Sequence, residues 1–260
     1  MTLRRFLPML LFAGACGGAA AGGAPVVAPV AGAEALSAGQ LDSLWSDVQA
    51  AFRRGKWAET RLLAARFRLE APSTDARVVE SRMMEAEAQF GMGQRLEAAR
   101  EFRRVADEHP THPLAPNALL RVGDAYAELW RRPELDPTYG ESALVTYQEV
   151  QSRFPGTDAA ARAGLRVAEL QSKFAAKAYK NAKYYLRFKA WDSAIIYLRD
   201  LLANYPTSES APAAVVDLIQ VYNTLGYVED ARETCGYLRR FHPGAPGSDD
   251  VCPPEAAQGP

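Results

Sequence analysis

K-A-W-D-S-A-I-I-Y-L-R-D-L-L-A-N-Y-P, Lys189 to Pro206, holds a turn, an amphipathic helix and a stop signal within eighteen residues. Trp191, Ala194, Leu198 and Leu201 recur at the spacing of one helix face. Pro206 ends the run, because proline lacks an amide hydrogen and clashes with the preceding turn. The same order appears four more times. Gly55 and Trp57 lead through Leu63, Ala64 and Phe67 to Pro72. Gly93 and Ala98 lead through Phe102 and Val105 to Pro110. Ala143 leads through Tyr147 and Val150 to Pro155, and Gly226 and Ala231 lead through Cys235 and Leu238 to Pro243. In every copy the proline stands twelve residues after a small residue: Thr60, Ala98, Ala143, Ala194 and Ala231. Such periodicity marks a repeat array.

Working outward, the residues before the turns carry a second stripe. Leu41, Leu44, Trp45, Val48 and Phe52 follow the i, i+3, i+4, i+7 pattern, as do Leu119, Val122, Gly123 and Tyr126, then Leu218, Ile219 and Tyr222. Each unit is therefore two antiparallel helices joined by a tight turn. Small residues let the two backbones approach, and aromatics fill the space between units. Ser73-Thr74-Asp75, Thr157-Asp158 and Ser208-Glu209 follow the prolines as caps for the next helices. The pattern resembles the tetratricopeptide repeat. The expected fold is all-α: a superhelix of five helix-turn-helix units, about ten helices, with one long central helix.

Two departures refine this layout. Trp130 to Ser142, W-R-R-P-E-L-D-P-T-Y-G-E-S, enlarges the third unit, with Asp136 placed to cap its second helix. An insertion in a repeat array maps to a loop on one face, often a binding face. From Asp158 to Arg187 no proline interrupts, which predicts a helix about 45 Å long joining two groups of units. Residues 41–155 then hold repeats 1–3, residues 156–243 the long helix and repeats 4–5, and residues 244–260 a disordered tail.

The N-terminus reads as an address. Arg4 and Arg5 precede an apolar run, Phe6 to Ala15, in the form of a signal peptide over residues 1–15. The run is about half the length needed to span a bilayer. Ala13-Gly14-Ala15-Cys16 resembles a bacterial lipobox, with Ala13 in place of the usual leucine. That resemblance implies acyl chains on Cys16, and Gly17 after it favours the outer membrane. Plain signal-peptide cleavage beside a chance cysteine is the alternative. Residues 16–40 hold this cysteine and an Ala/Gly/Pro-rich tether, whose composition gives a reach of about 25 Å.

Composition excludes several functions. The 260 residues are 48% hydrophobic and 23% charged, with a net charge of −1, which argues against a nucleic-acid binder. Three cysteines and three histidines are too few for a disulfide scaffold or an all-cysteine zinc site. His109 and His112 flank a loop without carboxylate or thiol companions. No phosphate loop, G-x-S-x-G or H-E-x-x-H occurs, so neither an enzyme nor a cofactor is expected. Cys235 falls on an inward repeat position and Cys252 in the tail. A disulfide or two separate thiols remain open, since distance decides.

Five such units behind a lipobox resemble the BamD family of outer membrane protein assembly factors. The likeness is most specific in K-Y-Y-L-R-F-K-A-W-D-S-A-I, Lys183 to Ile195. It extends to the linkers Phe154-Pro155-Gly156-Thr157 and Tyr205-Pro206-Thr207-Ser208, and to Leu135-Asp136-Pro137. The resemblance implies a scaffold lipid-anchored at Cys16 on the periplasmic face of the outer membrane. Its implied partners are the barrel-assembly outer-membrane protein, accessory lipoproteins and C-terminal segments of unfolded outer-membrane proteins, with no nucleic acid or small-molecule substrate. The family carries a basic residue toward its partner on the second helix of the fourth unit. Tyr197 holds that place here, so the partner candidates are Arg187, Lys189, Tyr197 and Arg199. The peptide candidates are Arg53, Arg61, Arg82 and Gln89. A solvated helix face is the simpler alternative for each. The alternative is another periplasmic repeat scaffold, in envelope maintenance, division or secretion. The Tol-Pal coordinator shares much of the pattern but carries an N-terminal coiled coil, and no heptads precede Leu41 here.

Overall fold

Helix starts and stops follow the repeat. The computed structural model describes residues 36–252. The signal peptide, Cys16, the tether up to residue 35 and residues 253–260 lie outside the described residues. Five helix pairs follow one another: α1 (Ala38–Arg53) with α2 (Trp57–Glu70), α3 (Arg77–Gly91) with α4 (Arg95–Glu108), and α5 (Ala115–Leu129) with α6 (Thr138–Arg153). Then come α7 (Asp158–Arg187) with α8 (Trp191–Asn204) and α9 (Ala211–Leu225) with α10 (Val228–Phe241). A short α11 (Ser248–Val251) closes the described chain. The result is a tetratricopeptide-type solenoid, in which each helix packs on its sequence neighbours.

The stop signals act as expected. α2, α4, α6, α8 and α10 each end two residues before Pro72, Pro110, Pro155, Pro206 and Pro243, because the residue before a proline leaves the helical region. The capping side chains are mixed. The Thr157 hydroxyl accepts from the Ala160 N–H at 3.2 Å, and Asp136 Oδ1 accepts from the Thr138 N–H at 2.9 Å. Ser208 and Glu209 do not cap: α9 begins behind Ser210 without a side-chain cap bond.

Small residues admit the aromatics. A Cβ on Gly123 would stand 2.4 Å from a ring carbon of Tyr147, and one on Gly140 would stand 2.2 Å from a ring carbon of Trp130. The turn backbone needs left-handed geometry at Gly55, Gly93 and Gly226, with φ of 67°, 84° and 75°. In the fourth unit Lys189 takes that conformation, at φ 55°, without a glycine's freedom.

The core runs as a chain of clusters. Leu41, Leu44, Trp45, Val48 and Phe67 fill the first unit. A continuous body from Val79 to Phe174 joins α3 through α7. Leu198, Leu201, Ala211 and Leu218 hold α8 against α9. Ion pairs cross between helices outside these clusters: Arg68 to Glu85 at 2.9 Å, Arg103 to Glu149 at 2.7 Å and Arg153 to Asp107 at 2.8 Å.

One expectation gains a constraint and one changes. The insertion of the third unit is a surface loop, exposed at Arg131, Arg132, Glu134, Leu135 and Asp136, but it is tied to the long helix. Trp130 is fully buried and stacks on Phe174 of α7, ring centroids 4.4 Å apart. Lys177 Nζ donates to the carbonyls of Pro133 and Leu135 at 2.7 and 2.9 Å. Lys173 Nζ donates to the Trp130 carbonyl, and Lys180 pairs with Glu134 at 2.6 Å. Three lysines spaced along one face of α7 thus brace the loop against the long helix. The expectation that changes is the disordered tail from residue 244, which is overturned as far as residue 252. Ala245 and Cys252 pack with Val215, Ile219, Cys235 and Leu238, and Cys235 is disulfide-bonded to Cys252 with Cα atoms 5.7 Å apart. Burying the apolar end of the last unit outweighs the polar, Pro/Gly-rich composition that reads as disorder.

Candidate functional site

The first helices of successive units line a groove. α3, α5 and α7 turn charged residues toward one another at helical spacing: Arg121, Asp124 and Glu128 on α5, then Arg166, Glu169 and Lys173 on α7. With Phe90, Tyr147 and Arg131 they bound a cavity of about 690 Å³.

Arg121 is the centre of its wall. Its guanidinium donates to both Glu87 carboxylate oxygens, at 2.8 and 2.6 Å, and to Asp124 Oδ2 at 3.0 Å. It also lies 4.1 Å from the Phe90 ring centroid, a cation–π contact. Burial disfavours its charge, but the two carboxylates outweigh this and raise its pKa. Asp124 is held from three sides: the Tyr147 hydroxyl donates to Oδ1 at 2.8 Å, and Arg166 Nε stands 3.8 Å away. Burial first, then the Asp124 charge, push the Tyr147 hydroxyl well above its ordinary range. Lys173 lies 4.6 Å from the Trp130 ring centroid, and desolvation lowers its pKa.

Chemically this is a wall of fixed charge. Its arginines and carboxylates are locked in pairs, with apolar ring faces between them. Among the described residues no group of histidine, cysteine and carboxylate side chains is arranged to hold a metal ion. The arrangement suits an extended polar chain, whose backbone amides and carbonyls meet fixed donors and acceptors.

The residues nominated from sequence fall elsewhere. None of Arg53, Arg61, Arg82 or Gln89 lines the groove. Arg53 is exposed at the end of α1, and Arg82 pairs with Glu108. Arg61 Nε and Gln89 Oε1 are buried without a hydrogen-bond partner. In the C-terminal units, Arg187 and Lys189 are exposed at the turn between α7 and α8. Tyr197 stacks on Tyr185, centroids 5.1 Å apart, and packs against the core. Arg199 faces a second, smaller groove of about 290 Å³ with Leu202, Tyr222, Asp230, Glu233 and Tyr237. The four therefore do not form one patch. The missed groove residues had a signal: charges at i, i+3 and i+7 interleaved with the apolar stripe of α5 and α7.

Comparison with known proteins finds one family and several relatives. The family model YfiO, described as outer membrane lipoprotein, matches residues 38–236. An outer membrane protein assembly factor BamD from Caulobacter vibrioides is 25% identical over 162 residues, covering 62% of this chain and 53% of the relative. A protein of the same name from Xylella fastidiosa is 26% identical over 226 residues, covering 80% of this chain and 75% of the relative. A third, from Vibrio cholerae, is 29% identical over 112 residues, 43% of this chain and 46% of the relative. The chain thus spans about half the length of two of these three relatives. Among solved structures, a thermophilic repeat protein of Thermus thermophilus aligns over 81% of this chain and 95% of its own, at 17% identity and TM-score 0.37. The TPR2AB domain of yeast Sti1, in complex with pHSP90, aligns over 80% of this chain and 79% of its own, at 12% identity and TM-score 0.43.

Proposed function

The chain belongs to the YfiO family of outer membrane lipoproteins, and from that membership we propose that it is a lipid-anchored scaffold of outer-membrane β-barrel assembly. The match over residues 38–236 carries the proposal, because it reaches from α1 into α10, the last helix of the fifth unit. The relatives named as BamD point to the same assembly role at low identity.

The finer reading is as follows. Cys16 carries the lipid and holds the solenoid at the periplasmic face of the outer membrane. The Cys235–Cys252 disulfide supports this compartment, since structural disulfides persist where the milieu is oxidising. The groove between α3, α5 and α7 receives extended segments of unfolded outer-membrane proteins. The C-terminal units bind the barrel-assembly outer-membrane protein and its accessory lipoproteins, Arg187 and Lys189 at the turn between α7 and α8 and Arg199 at the smaller groove. Tyr197 stiffens α8 through its stack on Tyr185.

A pull-down from detergent-solubilised membranes tests the reading. Recovery of the large barrel-assembly protein is the expected result. Recovery of other envelope scaffolds without it would sink the assembly role. Cys16→Ser separates the anchor from the scaffold: the variant should leave the membrane fraction, and unchanged partitioning would refute the anchor.

A further inference from the structure

α2 is apolar on two faces. Thr60, Ala64 and Phe67 are buried against the first unit. On the opposite side Ala58, Leu62, Ala65 and Leu69 recur at i, i+4, i+7 and i+11, a second stripe about 16 Å long. Leu62 is 62% exposed and Leu69 82% exposed. The repeat supplies its own control. The places of Leu62 and Leu69 are held by Arg100 and Asp107 in α4, Val145 and Ser152 in α6, Ile196 and Ala203 in α8, and Glu233 and Arg240 in α10. Only α2 puts two large apolar side chains there.

Cations border this stripe. Arg66 stands about 60° from its axis on one side and Arg61 about 80° on the other, by helix geometry. Arg53 and Arg54 lie just before its first turn. These four arginines form no ion pair among the described residues, whereas Glu59 is occupied by Lys56 at 2.8 Å. An apolar stripe between unpaired cations is the pattern of a helix lying in the surface of an anionic bilayer. The position agrees. Leu36, where the described chain begins, packs in the same cluster as Ala71 at the end of α2. Leu36 lies only twenty positions after Cys16, a length whose expected reach is about 25 Å.

We infer that the outer face of α2 is a docking surface for a lipid bilayer bearing anionic headgroups, fixing the orientation of the first unit on the membrane. This rests on the lipid anchor at Cys16. Leu62 and Leu69 enter the headgroup boundary, and Arg61 and Arg66 meet the phosphates on either side.

The test uses the lipidated full chain in phosphatidylethanolamine vesicles with and without phosphatidylglycerol. An environment-sensitive dye is attached at Ala58→Cys, with Glu97→Cys on α4 as the reference position. Flotation of the vesicles reports the anchor, and quenching of the dye by brominated lipid reports the face. With phosphatidylglycerol the dye at position 58 should be quenched several-fold more than at position 97. Leu62→Glu/Leu69→Glu should abolish the difference while the protein still floats. Equal quenching at both positions in floating vesicles would overturn the inference. So would protection at position 58 that rises with protein density and ignores phosphatidylglycerol, the signature of a second copy on the stripe. Failure to float would instead strike the anchor itself.

Discussion

Trp130 of the inserted loop stacks on Phe174 in the middle of α7, with ring centroids 4.4 Å apart and planes 27° apart. The contact turns an insertion into a brace. Gly140 lies against the indole, and the Lys173 ammonium stands 4.6 Å from its centroid. The long helix is thereby fixed to the third unit at a point where it would otherwise run free toward α8.

Removing the indole should cost most of this brace. Trp130→Ala is expected to destabilise the protein by about 3–5 kcal/mol, the range for a large aromatic deleted from a packed core. Urea unfolding followed by circular dichroism measures it. A loss within experimental error would mean the stack does not hold α7.

Lys189 stores strain that its counterparts avoid. A left-handed backbone costs a side-chain-bearing residue about 1 kcal/mol relative to glycine. Lys189→Gly should therefore raise the unfolding free energy by about that amount, offset in part by a freer unfolded chain. If the same variant weakened capture of the barrel-assembly partner, the strained lysine would be retained for contact.

The Cys235–Cys252 bond closes a loop of 17 residues. Cys252→Ser should lower stability by about 3 kcal/mol in the chain-entropy account. Hydrogen exchange should show the loss first at Ala245 and Val251, leaving the groove protected. Uniform exchange across all five units would contradict a local clasp.

Tyr147 sets a limit at high pH. Its folded-state pKa is raised above the ordinary 10.0 by burial and by Asp124. A raised acid binds its proton more tightly when folded. Its contribution is complete below the unfolded value and is lost as pH climbs above 10.0 toward the folded value. Stability should fall on the alkaline side, and Tyr147→Phe should flatten that limb. An alkaline limb unchanged in the variant would place its cause elsewhere, with Tyr179, also raised by burial and by Asp217, the next residue to test.

Local chemistry determined the helices, their ends and their order. The prolines at 72, 110, 155, 206 and 243 and the apolar stripes are local signals, and each acts within a few residues of itself. The uninterrupted run from Asp158 to Arg187 is one helix for the same reason. Tertiary structure alone decided the rest. W-R-R-P-E-L-D-P reads as a surface loop and is one, but only the fold brings Lys173, Lys177 and Lys180 of α7, some forty residues away in sequence, onto its carbonyls and Glu134. The tail reads as loose until the exposed end of α9 and α10 gives Ala245 and Cys252 something to cover. The groove exists only because stacking brings α5 and α7 to face α3. Charges that look solvated on one helix become a paired wall when three helices turn them inward, because a pair's strength depends on distance and burial.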